Sequence, residues 1–112
     1  MDNTEKNIIN SKDLNCEEVR IDSELKQFYF FGKFLDLTSK EFDILQLLFE
    51  NPGNIISRKT LLEKVWGYNY CGDTRAVDIH IRRLRKKIEA DPSNPKYILT
   101  KWRYGYFYKE NA

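Results

Sequence analysis

With 112 residues, 41% of them apolar and 14% aromatic, the chain holds enough hydrophobic material for one packed core and too much for a disordered segment. No stretch approaches the ~18–20 apolar residues that a membrane span needs, and Met1-Asp2-Asn3-Thr4-Glu5-Lys6 lacks the basic-then-apolar order of a signal peptide, so a single cytoplasmic domain without a membrane partner is expected. The net charge of +2 hides a division: residues 1–56 hold 6 Lys and Arg against 11 Asp and Glu, and residues 57–112 hold 13 against 6, which predicts a polyanion-binding face in the second half.

The side-chain inventory excludes several chemistries. A structural zinc site takes four Cys or His ligands at close spacing, whereas this chain has only Cys16, Cys71 and His80. No metal or other cofactor is therefore expected. Without a secretory signal both cysteines read as free thiols, Cys16 in a strand and Cys71 in a loop. There is no P-loop, no dinucleotide glycine fingerprint and no G-x-S-x-G elbow, and His80 has no nucleophile beside it. No enzyme is expected.

Residues 1–12 are polar and aperiodic, a tail or linker remnant ahead of a folded domain over 13–112. From Leu14 to Leu37 the pattern turns β-like: Val19 and Ile21 alternate with charged neighbours, and Gln27-Phe28-Tyr29-Phe30-Phe31 is a β-prone run. Three or four short antiparallel strands fit, with turns at Asp22-Ser23-Glu24-Leu25 and Phe31-Gly32-Lys33. Thr38-Ser39-Lys40-Glu41 is a capping box opening a helix that carries Phe42, Leu45, Leu48 and Phe49 and stops near Asn51-Pro52-Gly53. Ile55-Ile56 offers one short strand pairing. Ser57 caps a second helix with Leu61, Leu62, Val65 and Trp66 inward, Gly67 ends it, and residues 67–73 form a loop. A third helix spans about 74–89, and the β-prone end over 97–108 predicts a hairpin.

The third helix carries the most information. At about 100° per residue, Val77, Ile81, Leu84 and Ile88 stack into one stripe that must face the core. Arg75, Ile79, Arg82, Arg83 and Lys86 then fall on the opposite side, four cations and one apolar residue without an acid. His80 and Lys87 flank that face on one side; Asp78, able to tie down an arginine, and Arg85 flank it on the other. A solvated helix usually mixes signs, because opposite charges at i,i+4 stabilise it and like charges cost ~0.2–0.5 kcal/mol per pair. A cationic face without internal relief fits an external polyanion. Ile79 within it suits a thymine methyl group, and such a helix fits the major groove of DNA but not the deep, narrow groove of A-form RNA. Duplex DNA is the expected partner. The alternative is an interaction module that docks an acidic protein through the same basic face.

The motifs Leu37-Thr38-Ser39-Lys40-Glu41-Phe42-Asp43-Ile44-Leu45, Ser57-Arg58 through Leu61-Leu62-Glu63-Lys64-Val65-Trp66-Gly67-Tyr68, Asp73-Thr74-Arg75-Ala76-Val77-Asp78-Ile79-His80-Ile81-Arg82-Arg83-Leu84-Arg85-Lys86-Lys87 and Gly105-Tyr106 follow one another in order. Together they resemble the C-terminal effector domain of OmpR/PhoB-type response regulators. The resemblance implies an α+β winged helix-turn-helix: an N-terminal antiparallel four-stranded sheet, three helices and a C-terminal β-hairpin wing. It implies a bacterial two-component transcriptional regulator, monomeric alone and arranged as a tandem dimer on direct-repeat promoter sites. By the same resemblance Arg82, Arg83 and Ile79 read bases. Arg75, His80, Arg85, Lys86, Trp66 and Thr100, with Trp102 and Arg103 of the wing, lie at the backbone or minor groove. Tyr68, Asn69, Tyr70, Cys71, Gly72 and Asp73 form the loop that engages RNA polymerase.

Two departures from the family pattern stand out. The wing commonly reads Arg-Gly-Val-Gly-Tyr or Trp-Gly-Val-Gly-Tyr, whereas Trp102-Arg103-Tyr104-Gly105-Tyr106 puts Arg103 at the first glycine. A non-glycine residue with positive φ is uncommon, so the turn is expected to be reshaped, with Arg103 supplying the minor-groove cation. Family members also carry an N-terminal receiver domain, partnered by a histidine kinase, for which 112 residues leave no room. Either an excised effector domain or a receiver-less regulator is expected, and the linker-like residues 1–12 favour excision.

Overall fold

The computed structural model describes residues 19–109. Strands β1 (Val19–Asp22), β2 (Gln27–Phe30) and β3 (Lys33–Leu35) form an antiparallel sheet in sequential order. Alternation sorts its faces. Val19 pairs with Phe30, and Ile21, Phe28 and Leu35 align on the side that enters the core; Arg20, Tyr29 and Phe34 align on the other. The expected fourth strand, with Cys16 in it, and the tail over 1–12 lie outside the described residues.

Helix α1 (Ser39–Glu50) begins with the reciprocal cap that its sequence encodes. The Glu41 N–H donates to the Thr38 hydroxyl (3.2 Å), and the Thr38 N–H donates to Glu41 Oε1 (3.0 Å). Phe42, Ile44, Leu45, Leu48 and Phe49 are buried, and Phe28 sets its ring edge against both Phe42 and Phe49. Glu41 is itself only 1% exposed and holds Lys87 Nζ at 2.6 Å, while the same ammonium donates to the Asp36 carbonyl (2.7 Å). Lys87, which the sequence places beside the basic face, is thus turned back onto α1. One carboxylate caps α1 and anchors the last turn of the third helix.

Helix α2 (Arg58–Trp66) starts at Ser57, whose hydroxyl accepts the Thr60 N–H (3.0 Å), and ends at Gly67. Leu61, Leu62 and Val65 are buried and Trp66 is half-buried. Helix α3 (Arg75–Ile88) is one residue shorter at each end than its sequence suggests. Thr74 provides no side-chain cap; Asp73 does, with Oδ1 accepting the Arg75 N–H (2.9 Å). Val77, Ile81, Leu84 and Ile88 are all buried, while Arg75, Ile79, Arg82, Arg83 and Lys86 are all exposed. The helix phase is the one that the apolar stripe dictates.

Beyond α3 the chain turns on Glu89. Its buried carboxylate accepts the N–H groups of Lys96 (2.7 Å), Tyr97 (3.0 Å) and Ile98 (2.8 Å), which launches β4 (Ile98–Lys101) along the helix. β5 (Gly105–Tyr108) returns antiparallel, with Thr100 opposite Tyr106 and Lys101 opposite Gly105. Ile56 exchanges both backbone hydrogen bonds with Tyr106 (2.9 and 3.0 Å), realising the short pairing expected there. The hairpin is therefore flanked by a third extended segment. Gly105 makes that approach possible, because a Cβ there would run into the Ile56 carbonyl oxygen.

The seating of α3 predicts an asymmetry between neighbouring residues. Leu84→Ala should cost about 2–5 kcal/mol of unfolding free energy, and Arg83→Ala less than about 0.5 kcal/mol, as for an exposed site without a structural partner. Urea melts check this, and a larger loss for Arg83→Ala would mean that the helix is rotated. Burial raises the pKa of Glu41, but the Lys87 and Thr38 hydrogen bonds and the Lys87 charge outweigh it and leave the carboxyl below its ordinary 4.5. A depressed carboxylate adds stability that is present above the unfolded value and lost as pH falls through the folded one. Urea midpoints should therefore drop on acidification below pH 4.5, and Glu41→Gln should flatten that drop.

Candidate nucleic-acid interface

The outer face of α3 presents Arg82, Arg83 and Lys86, none of which makes an ion pair among the described residues. Ile79 lies among them with 49% of its surface exposed. Arg75 differs: its Nε meets Asp73 Oδ2 at 3.2 Å, so the charge relief absent from the helix comes from the loop before it. Both side chains are well exposed, and a pair of that kind holds weakly enough to exchange one anion for another.

Behind the face, α3 is fastened to the elements on either side. Asp78 accepts a two-point contact from Arg58, Nε to Oδ1 at 3.1 Å and Nη2 to Oδ2 at 2.6 Å. The arginine that Asp78 ties down thus belongs to α2. The Tyr106 hydroxyl donates to the same Oδ1 at 2.7 Å. Burial, followed by this hydrogen bond, pushes the Tyr106 pKa up to about 12. Arg85 donates from Nε and Nη2 to the Ile98 carbonyl (3.0 and 2.9 Å) and from Nη2 to the Thr100 hydroxyl (2.8 Å). Its guanidinium also sits 5.6 Å from the Tyr106 ring centroid, and burial lowers its pKa. Arg85 and Thr100, both expected on the phosphate side, are brought together on each other. Arg58 and Tyr106, to which the local sequence pattern assigns no role, supply two of these fastenings.

At the tip of the hairpin, the Tyr104 N–H donates to the Lys101 carbonyl (2.9 Å), and Arg103 occupies the third turn position with φ 75°. That is the position where a type II turn requires positive φ. The expected reshaping does not occur: Arg103 adopts the left-handed conformation itself. The tip permits it because Trp102 (81% exposed), Arg103 and Tyr104 (63% exposed) all extend outward, away from packed neighbours. The cation is displayed between two aromatic rings in sequence.

Trp66 joins the loop to the helix. The His80 ring stands edge-on to it at 5.1 Å, the Tyr70 ring stacks at 6.1 Å, and Lys40 Nζ lies 5.5 Å from its centroid. Gly72 is packed so closely on Tyr70 that a Cβ would collide with that ring. Tyr68, Asn69, Cys71 and Asp73 are exposed around this stack. His80 Nδ1 lies 2.8 Å from the Ala76 carbonyl, which can only accept, so the neutral ring carries its proton on Nδ1.

The family described as transcriptional regulatory protein, C terminal, matches residues 32–108. Response regulator DrrB of Thermotoga maritima, an OmpR/PhoB homologue, is 38% identical with a TM-score of 0.75 over 86% of this chain and 43% of its own. The DNA-binding domain of Klebsiella pneumoniae RstA, solved in complex with the RstA box, is 32% identical with a TM-score of 0.76 over 88% of this chain and 98% of its own. The DNA-binding domain of Bacillus subtilis CssR is 35% identical with a TM-score of 0.69, covering 81% and 99%. The chain thus spans less than half of DrrB and nearly all of the two isolated domains. With three helices and a hairpin wing among the described residues and this match over most of its length, the chain belongs to the winged-helix effector domains of OmpR/PhoB-type transcriptional regulatory proteins.

Proposed function

We propose that this domain binds duplex DNA sequence-specifically, with α3 in the major groove and the hairpin over 97–108 at the minor groove. The observation that carries this reading is the row of Arg82, Arg83 and Lys86 on the exposed side of a helix whose opposite side is buried. Those charges repel one another and pair with no acid among the described residues, so phosphates are the partner that relieves them. In RstA, the homologous domain is bound to its box DNA.

In this reading Arg82 and Arg83 reach base edges, where a guanidinium can pair with guanine O6 and N7, and Ile79 meets a thymine methyl. Arg75 trades Asp73 for a phosphate. Lys86, His80 and the rim of Trp66 flank the groove. Trp102 and Arg103 enter the minor groove from the wing, and Arg85 contributes by fixing Thr100. Residues 67–73, with Tyr68 outermost and Tyr70 braced on Trp66, offer a contact surface for RNA polymerase. The whole protein carries a receiver domain addressed by a histidine kinase, works in the cytoplasm, and fills direct-repeat promoter sites as a tandem dimer of otherwise monomeric effector domains. The described residues contain no helix long and apolar enough to cross a membrane.

Selection of bound sequences from a random duplex pool, followed by gel shifts on the winner, tests this. With about five phosphate contacts, log K should fall against log[salt] with a slope of about −4 to −5. Arg83→Ala should cost about 1–3 kcal/mol and relax the preference at one base pair, and Arg103→Ala should weaken binding to sites with A·T flanks. A pool that enriches no sequence would overturn the reading.

A further inference from the structure

Asp78 and Arg85 stand seven residues apart, two turns of α3, and so share one flank of that helix. Each grips a different strand of the wing. Asp78 takes the hydroxyl of Tyr106 on β5 (2.7 Å), and Arg85 takes the Ile98 carbonyl and the Thr100 hydroxyl on β4 (2.8–3.0 Å). Thr100 and Tyr106 are direct cross-strand partners, so the two grips meet at one rung of the hairpin. Arg58 completes the arrangement by clamping Asp78 from α2 through both carboxylate oxygens.

We propose that Arg58, Asp78, Tyr106 and Arg85 are positioning residues that lock the wing at a fixed angle to α3, so that one rigid unit addresses both grooves. The inference rests on the DNA reading above. The Ile56–Tyr106 backbone pairing and the buried Ile98 and Tyr108 hold the base of the hairpin, but the tip at 102–104 carries no core residue. Held at that base alone, the tip would swing about it, and ordering it would subtract from the affinity; holding it beforehand removes that cost. The tyrosine hydroxyl stays a donor across the accessible pH range, since its pKa is pushed up to about 12. A merely satisfied buried hydroxyl would share this geometry. The two roles differ in what happens on DNA when the hydroxyl is removed.

The test is Tyr106→Phe, which keeps the ring and leaves Asp78 paired with Arg58. Its duplex affinity should fall roughly tenfold, the order expected for coupled neighbours. Hydroxyl-radical protection should be lost on the wing-side minor groove, while α3 still shields guanine N7 from methylation. In an Arg103→Ala background the same change should cost less than it does in the parent, because part of the wing contact it aligns is already gone. Arg85→Met, which releases the other strand, should give the same split between grooves, and thermal melts confirm that each variant is folded. Parent-like binding by folded Tyr106→Phe, parallel loss of protection in both grooves, or additivity with Arg103→Ala would each overturn the grip while leaving the DNA reading standing. A parent domain that forms no salt-dependent duplex complex would overturn both.

Discussion

The rotational setting of α3 governs everything else in the molecule. Four apolar residues at helical spacing, Val77, Ile81, Leu84 and Ile88, are pressed into the core formed by α1, α2 and the hairpin. Burying such side chains is favourable by about 1.5–3 kcal/mol each, and rotating the helix by a third of a turn would exchange them for mostly charged or polar ones. The cations therefore face outward because the stripe faces inward. Four polar contacts then fix what the stripe leaves loose: Glu41 on Lys87, Arg58 on Asp78, Arg85 on Ile98 and Thr100, and Glu89 on the amides that start β4.

Among the described acids of the first half, Glu41 is buried as cap and anchor, and Asp43 pairs with Lys26. The basic second half sorts its cations into two kinds. Lys87 and Arg85 are spent on internal acceptors, whereas Arg82, Arg83 and Lys86 are left outward. Formal charge alone does not separate these kinds. Only the outward kind is available to a polyanion, and it costs the isolated domain some self-repulsion.

Local rules made much of this legible in the sequence. The Thr38–Glu41 cap, the Ser57 cap and the α3 stripe depend on residues three or four apart, so pattern reading found them at their places. The outward position of Arg82, Arg83, Lys86 and Ile79 followed from the same periodicity. What escaped depends on distant segments meeting. Lys87 reaches Glu41 across 46 positions, Tyr106 reaches Asp78 across 28, and Arg58 reaches Asp78 across 20. Arg85 looked like one more surface cation because nothing nearby in sequence reveals that a β4 carbonyl will sit beside it. At Arg103 the substitution of a glycine suggested a changed turn, but an open tip tolerates the left-handed conformation where a packed one would not.

The most direct test of the account is a residue-by-residue NMR titration of the domain with its selected duplex. The account predicts that the largest shift changes fall on Ile79, Arg82, Arg83 and Lys86 of α3 and on Arg103 at the wing tip, with Arg20, Tyr29 and Phe34 on the outer sheet face unmoved. Changes concentrated on that sheet face, with the α3 residues silent, would contradict it.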